Sequence, residues 1–324
     1  MTKFIKISLL TGILCIVFGT GLFFAGAVMG GGKFAKNLDF SSMLTTDSKH
    51  LKKEYATLKK TKIDDFDKIN VKLNTIDIKI AESDDNNCYI EYNLKKENGE
   101  IPVIYEVDNK EFKLRQKSNH VSINMDLSGL AYILGGAEDY VRENQVVLYI
   151  PEGKTITKSE IDTSDGDVKI EGLKSDELNL SVDYGDIKLE NSEVINGRIS
   201  SADGDIDVRE TKLENIEIND SYGDVKCKQC SFSNVNVKLS DGEIKTYNPY
   251  FEGDVKFESS YGDVKIESDD ELKDTSIDAK TSFGDVKVSS NITGERTETS
   301  FERNIENQVA KLQIRCSDGD IRIR

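Results

Sequence analysis

One short phrase, Gly-Asp followed by alternating apolar and polar residues, recurs through the second half of this chain and constrains its fold more than any other feature. It stands at Gly166-Asp167-Val168-Lys169-Ile170 and returns at Gly185, Gly204, Gly223, Gly242 (where Glu243 replaces the Asp), Gly262, Gly284 and Gly319. The first four intervals are each 19 residues (185 − 166, 204 − 185, 223 − 204, 242 − 223), the next two are 20 and 22, and the last is 35, long enough to hold a degenerate copy or an insertion. Gly253-Asp254-Val255-Lys256-Phe257 is a further copy, half a phase out. A fixed period of this size with only strand signals inside predicts stacked coils, none of which can bury its apolar face alone. The expected fold class is all-β: a parallel β-solenoid (β-helix-like) with coils of about 19 residues, preceded by one transmembrane helix.

The chemistry of the phrase fits such a stack. Gly supplies a turn conformation that side-chain-bearing residues resist. Val168 and Ile170 point inward two residues apart, while Asp167 and Lys169 point outward. Stacked lysines repel one another, and the neighbouring acidic column offsets this, each exposed pair contributing about 0–1 kcal/mol. The residue before each Gly runs Asp165, Tyr184, Asp203, Tyr222, Asp241, Tyr261, then Phe283 and Asp318. Its alternation points to a doubled unit of two coils. The tyrosines are expected to pack each turn against the next coil; the other arrangement is a ladder along one edge.

Ahead of the repeat, from Phe66, the apolar period is already two. Ile69, Val71 and Leu73 alternate with polar residues, Ile76, Ile78 and Ile80 continue the pattern, and segments 89–94, 101–107, 112–114 and 146–150 are further strands between turn-like polar clusters. The solenoid domain is therefore set at residues 63–324. Leu127 to Tyr140 is apolar, Gly-containing and not alternating, and is expected to cap one end of the stack.

The N-terminus is of another kind. Ile7 to Met29 carries no charge, and its 23 residues (29 − 7 + 1) are enough for a bilayer, which takes about 20 in a helix. Lys3 and Lys6 precede the run, Lys33 and Lys36 follow it, and Gly26 and Gly30 are small residues of the kind common in membrane helices. Residues 1–32 are read as a retained signal-anchor helix that contacts the lipid bilayer through residues 7–29. The rival is a cleaved signal peptide, since Ala25-Gly26-Ala27 has the form of a cleavage site. Residues 33–62 read as a polar, Lys-rich stalk, with Leu51, Tyr55 and Leu58 at the spacing of a short helix over 48–62. A very short basic tail before the first apolar run places the solenoid outside the cell, although the downstream lysines argue the other way.

Composition removes several functions. A formal net charge of −16 leaves no reason to expect a nucleic-acid partner, because phosphates are repelled. His50 and His120 are the only histidines, so a His-based triad or metal site lacks parts. No Trp is present to stack sugars. Ser-Asp-Gly-Asp fragments resemble pieces of calcium loops but lack the ligand number that calcium takes. Cys227 and Cys230 form a lone C-x-x-C; Cys227 falls where Ile170, Leu189 and Val208 stand in other copies, which makes it a core residue. Asp186, Asp205 and Asp224 would stack like the acid clusters of β-helical polysaccharide hydrolases, yet their environments are near-equivalent, and paired-carboxylate catalysis needs unequal ones. No catalytic residue, cofactor ligand or metal ligand is predicted, and the chain is not expected to be an enzyme.

The Gly-Asp-Val-Lys repeat, the alternating region from Phe66 and the junction Leu148-Tyr149-Ile150-Pro151-Glu152-Gly153 together resemble the bacterial "putative adhesin", or toastrack, domain family over roughly residues 63–324. The resemblance implies a β-helical, surface-facing domain of the cell envelope with no established catalytic residues. The expected function is a membrane-anchored extracytoplasmic interaction or scaffold domain, in adhesion or envelope-stress signalling, with an envelope protein or polymer as partner. The alternatives are a carbohydrate-active β-helix enzyme and a stress sensor acting through its transmembrane helix.

Overall fold

The computed structural model describes residues 54–117 and 144–324. The anchor at 1–32, the first part of the stalk, both histidines and the expected cap at 127–140 lie outside the described residues. Among the described residues no helix is long and apolar enough to cross a membrane.

The described chain is a right-through stack of parallel coils, each with three faces. In one coil these are the strands Leu178–Tyr184, Ile187–Glu190 and Glu193–Val194. The next coil repeats them as Gly197–Asp203, Ile206–Arg209 and Lys212–Glu214, paired in parallel and in register with the first. The period-two pattern sets which side chains go in. Val168, Ile187, Ile206, Val225, Ile244, Val264 and Ile321 form one fully buried column, and Ile170, Leu189, Val208, Cys227, Thr246, Ile266 and Ile323 form the next. Burying each aliphatic side chain contributes about 1.5–3 kcal/mol, which is why an uninterrupted column of β-branched residues holds a stack of otherwise open coils. Phe232, Phe251 and Phe257 pack together in the core of the C-terminal half, with ring centroids 5.6–6.0 Å apart.

Glycine at the coil corner has a specific cause. Gly242 has φ +136°, and a Cβ there would run into the carbonyl oxygen of Gly223 one coil earlier. Close backbone stacking at the corner leaves room for hydrogen only.

Both ends depart from chain order. The first coil, Lys68–Leu73 and Asp77–Ser83, lies between the repeat and antiparallel strands that close the N-terminal end: Val103–Asp108 with Glu111–Gln116 on one face, and Gln145–Pro151, Cys88–Lys95 and Tyr55–Ile63 on another. At the other end, the last coil of the sequence, Ala310–Asp318 and Ile321–Ile323, inserts between Tyr250–Glu267 and Thr275–Val288. The long last interval therefore holds an insertion, the antiparallel strands Glu295–Arg296 and Ser300–Arg303, which cover the outermost coil. Antiparallel pairing at both ends protects edges that would otherwise template further strands.

Tyr55–Ile63 corrects one expectation: it is a strand, not the helical end of a stalk. It is an edge strand that pairs with Cys88–Lys95 through a bulge between Leu58 and Thr61. Only Ala56 within it is fully buried, so its lysines face solvent and its alternation is faint in sequence.

Candidate functional site

Two columns of acidic residues descend the stack side by side, and their chemistry differs. The first consists of the Asp of each Gly-Asp phrase. The Asp186 backbone N–H donates to Asp167 Oδ1 (3.0 Å), that of Asp205 to Asp186 Oδ1 (3.1 Å), that of Asp224 to Asp205 Oδ1 (2.9 Å) and that of Glu243 to Asp224 Oδ1 (3.0 Å). The column continues in spatial order, with the Asp320 N–H on Asp263 Oδ1 and the Asp285 N–H on Asp320 Oδ1. From Asp205 on, second oxygens take cations: Lys226 Nζ sits 3.0 Å from Asp205 and 3.2 Å from Asp224, and Arg322 bridges Asp263 and Asp320. Burial raises the Asp205 pKa, but the Asp224 N–H and Lys226 outweigh it and hold the carboxyl below the usual range. Asp186, Asp205 and Asp224 are thus brought together as a column, and every one of them is engaged in joining coils.

The second column is the residue before each Gly. In spatial order it reads Asp165, Tyr184, Asp203, Tyr222, Asp241, Tyr261, Asp318, Phe283. The inserted last coil restores the alternation that the sequence loses after Tyr261, because Asp318 lies between Tyr261 and Phe283. Each rung is fixed by the backbone: the Gly204 N–H donates to Tyr222 O (3.0 Å), Gly223 to Asp241 O (3.2 Å), Gly242 to Tyr261 O (2.9 Å), Gly262 to Asp318 O (2.8 Å) and Gly319 to Phe283 O (2.9 Å).

The aromatic rings do not pack the turns, contrary to the expectation from sequence. Tyr184, Tyr222 and Tyr261 are 60–63% exposed and Phe283 is 74% exposed. The corner glycine holds the coils so close that the preceding side chain is directed outward. The adjoining position is small and at least partly exposed in six successive coils (Ala202, Ser221, Ser240, Ser260, Ser317, Ser282), so a shelf of small side chains runs beside Tyr222, Tyr261 and Phe283, while Asp183 adjoins Tyr184. Among the described residues, Asp165, Asp203, Asp241 and Asp318 have no ion-pair partner, and the hydroxyls of Tyr184, Tyr222 and Tyr261 have no hydrogen-bond partner. The edge is an open ladder of alternating rings and free carboxylates. The sequence did carry a signal for it: continued alternation requires an acidic rung between Tyr261 and Phe283.

Cys227 and Cys230 are free thiols buried in the core. Contact with Cys230, together with burial, pushes the Cys227 thiol well up, and the same contact holds Cys230 down. No three His, Cys, Asp or Glu side chains among the described residues converge as a metal site.

Stacked coils joined by an acidic column, closed by antiparallel strands and carrying an open ladder define a β-solenoid of repeating surface. The chain belongs to the Toastrack DUF4097 family, whose pattern it matches over residues 66–324. No curated protein matches it. Similar solved structures include a "putative adhesin" from Bacteroides fragilis (16% identity, TM-score 0.38), covering 84% of this chain and 98% of that one. A "putative cell adhesion protein" from Clostridium sporogenes has 15% identity and TM-score 0.25, covering 83% and 97%. A "putative lipid binding protein" from Parabacteroides distasonis has 15% identity and TM-score 0.41, covering 84% and 96%.

Proposed function

We propose that this protein is a non-catalytic interaction module of the bacterial envelope, anchored in the membrane through residues 7–29, with its solenoid outside the cell. The observation that carries the interaction reading is the contrast between the two acidic columns. Carboxylates of the Gly-Asp phrase are taken up by neighbouring amides and cations, whereas those of the ladder stand free between exposed rings. Exposed aromatic groups in a regular row bury little in the core and are among the groups most used in binding. The anchoring rests on the uncharged run from Ile7 to Met29.

The test is protease accessibility in intact cells against a lysed control. Cleavage of the solenoid in intact cells supports the external placement. Protection until lysis reverses the topology and turns the module toward cytoplasmic partners.

A further inference from the structure

We infer that the ladder is a docking edge for an extended, cationic polypeptide in the polyproline II conformation. The inference rests on the interaction reading above and names its partner. The first argument is pitch. Aromatic rungs recur every second coil, and with strands about 4.8 Å apart this places them about 9.6 Å apart. A polyproline II helix advances about 3.1 Å per residue with three residues per turn, so one of its faces repeats about every 9.3 Å. Four rings (Tyr184, Tyr222, Tyr261, Phe283) span three such intervals, about 29 Å, against about 28 Å for nine residues of that helix. The two periods stay in step over the whole ladder.

The second argument is charge. Between successive rings stand Asp203, Asp241 and Asp318, exposed and without ion-pair partners among the described residues. A peptide with proline at two positions of every three and Lys or Arg at the third sets its rings between the aromatic rungs and a cation beside each carboxylate. The third argument is access. Ser221, Ser240, Ser260 and Ser317 leave the shelf shallow enough for a backbone to lie along it. Aromatic-lined surfaces are the usual receptors for such helices, because the ligand is already extended and loses little entropy on binding.

The experiment uses the full-length chain in lipid nanodiscs, with empty nanodiscs as the blank, and a labelled peptide of four Pro-Pro-Lys repeats. Peptides of four Gly-Gly-Lys and four Pro-Pro-Glu repeats are the controls. Pro-Pro-Lys is expected to bind at least tenfold more tightly than either control. The double variant Tyr222→Ala with Tyr261→Ala is expected to lose at least tenfold in affinity with an unchanged melting curve, since both rings are exposed. Asp203→Asn with Asp241→Asn is expected to weaken binding and to flatten its salt dependence. Equal binding of the two lysine peptides, or indifference to the double tyrosine variant, overturns the inference. Binding of purified wall polysaccharide through the same tyrosines, with no peptide binding, removes the polyproline partner but keeps the interaction module. Indifference of peptide, polysaccharide and whole-envelope binding to those tyrosines removes both.

Discussion

The backbone N–H of Asp224 donates to the carboxylate of Asp205 one coil away, at 2.9 Å, and the same bond recurs along the stack. It couples a side chain of one turn to the main chain of the next, at the corner where the strand ladders are interrupted. Asp205→Ala strands the Asp224 amide, which costs about 1–3 kcal/mol. Asp205→Asn keeps the accepting oxygen and loses only the charge facing Lys226, worth about 0–1 kcal/mol. Hydrogen exchange at the Asp224 amide is expected to speed up tenfold or more in Asp205→Ala and to stay near the native rate in Asp205→Asn. Equal acceleration in both would show that the bond does not hold the corner.

Gly242 and Gly99 make a paired test of the corner geometry. Gly242 has φ +136° and no room for a Cβ under Gly223, while Gly99 has φ +81° with nothing within 4 Å. Gly242→Ala is expected to cost about 1–3 kcal/mol from its backbone conformation alone, and more because Gly223 must move. Gly99→Ala is expected to cost about 1–2 kcal/mol. Thermal melting of the two variants checks the order, and a Gly242→Ala protein that melts at or above Gly99→Ala would show that the corner accepts a Cβ.

The repeat could be read from sequence because each copy must satisfy the same local demands: a glycine where backbones touch, and mostly aliphatic residues two apart toward the core. Tyr55–Ile63 escaped because an edge strand buries one side chain and leaves Lys59, Lys60 and Lys62 in solvent, a pattern that also fits a polar stalk. The outward direction of Tyr222 escaped because residue type does not separate a ring packed on a turn from one standing clear of it; the closeness of Gly204 and Gly223 decides that. The position of Asp318 beside Tyr261 escaped because spatial order differs from chain order at the C-terminal end. The equal role of the phrase carboxylates was legible from repetition alone: Asp186 and Asp205 each use Oδ1 to accept the backbone N–H one coil on.

Cys227 stands in register with Val208 and Thr246, and 2% of its surface is exposed. Cys227→Val adds one heavy atom but places in this coil the residue that stands at Val208, and is expected to change stability by less than about 1.5 kcal/mol. Cys88, Cys230 and Cys316 are buried as well. Alkylation with iodoacetamide followed by mass spectrometry is expected to modify none of these four in the native protein and all of them in denaturant. Native labelling of Cys227 or Cys230 would mean that the core opens at that coil.

Asp220 is the one acidic side chain turned into the described core, in register between Ser201 and Leu239 and 4% exposed. Neither carboxylate oxygen makes a well-formed hydrogen bond. Burial pushes its pKa up to about 7; the Ser221 and Tyr222 amides oppose this, and Asp205 and Asp203 add to it. Below about pH 4 the group is neutral in both folded and unfolded chains, and its ionisation takes nothing from stability. Between about pH 4 and 7 the unfolded chain ionises first, so stability falls by about 1.4 kcal/mol per pH unit, up to about 4 kcal/mol, and then levels off. Asp220→Ser places in this coil the residue found at Ser201 and Ser259 in the same column. The variant is expected to melt several degrees above the native protein at pH 8, with the gap closing toward pH 4. The carboxylates of the outer column run the other way: Asp205 and Asp320 are held below the usual range, so their contribution is present at neutral pH and fades as the pH falls through their lowered values. A gap between variant and native that stays constant from pH 4 to pH 8 would show that Asp220 ionises freely inside the stack.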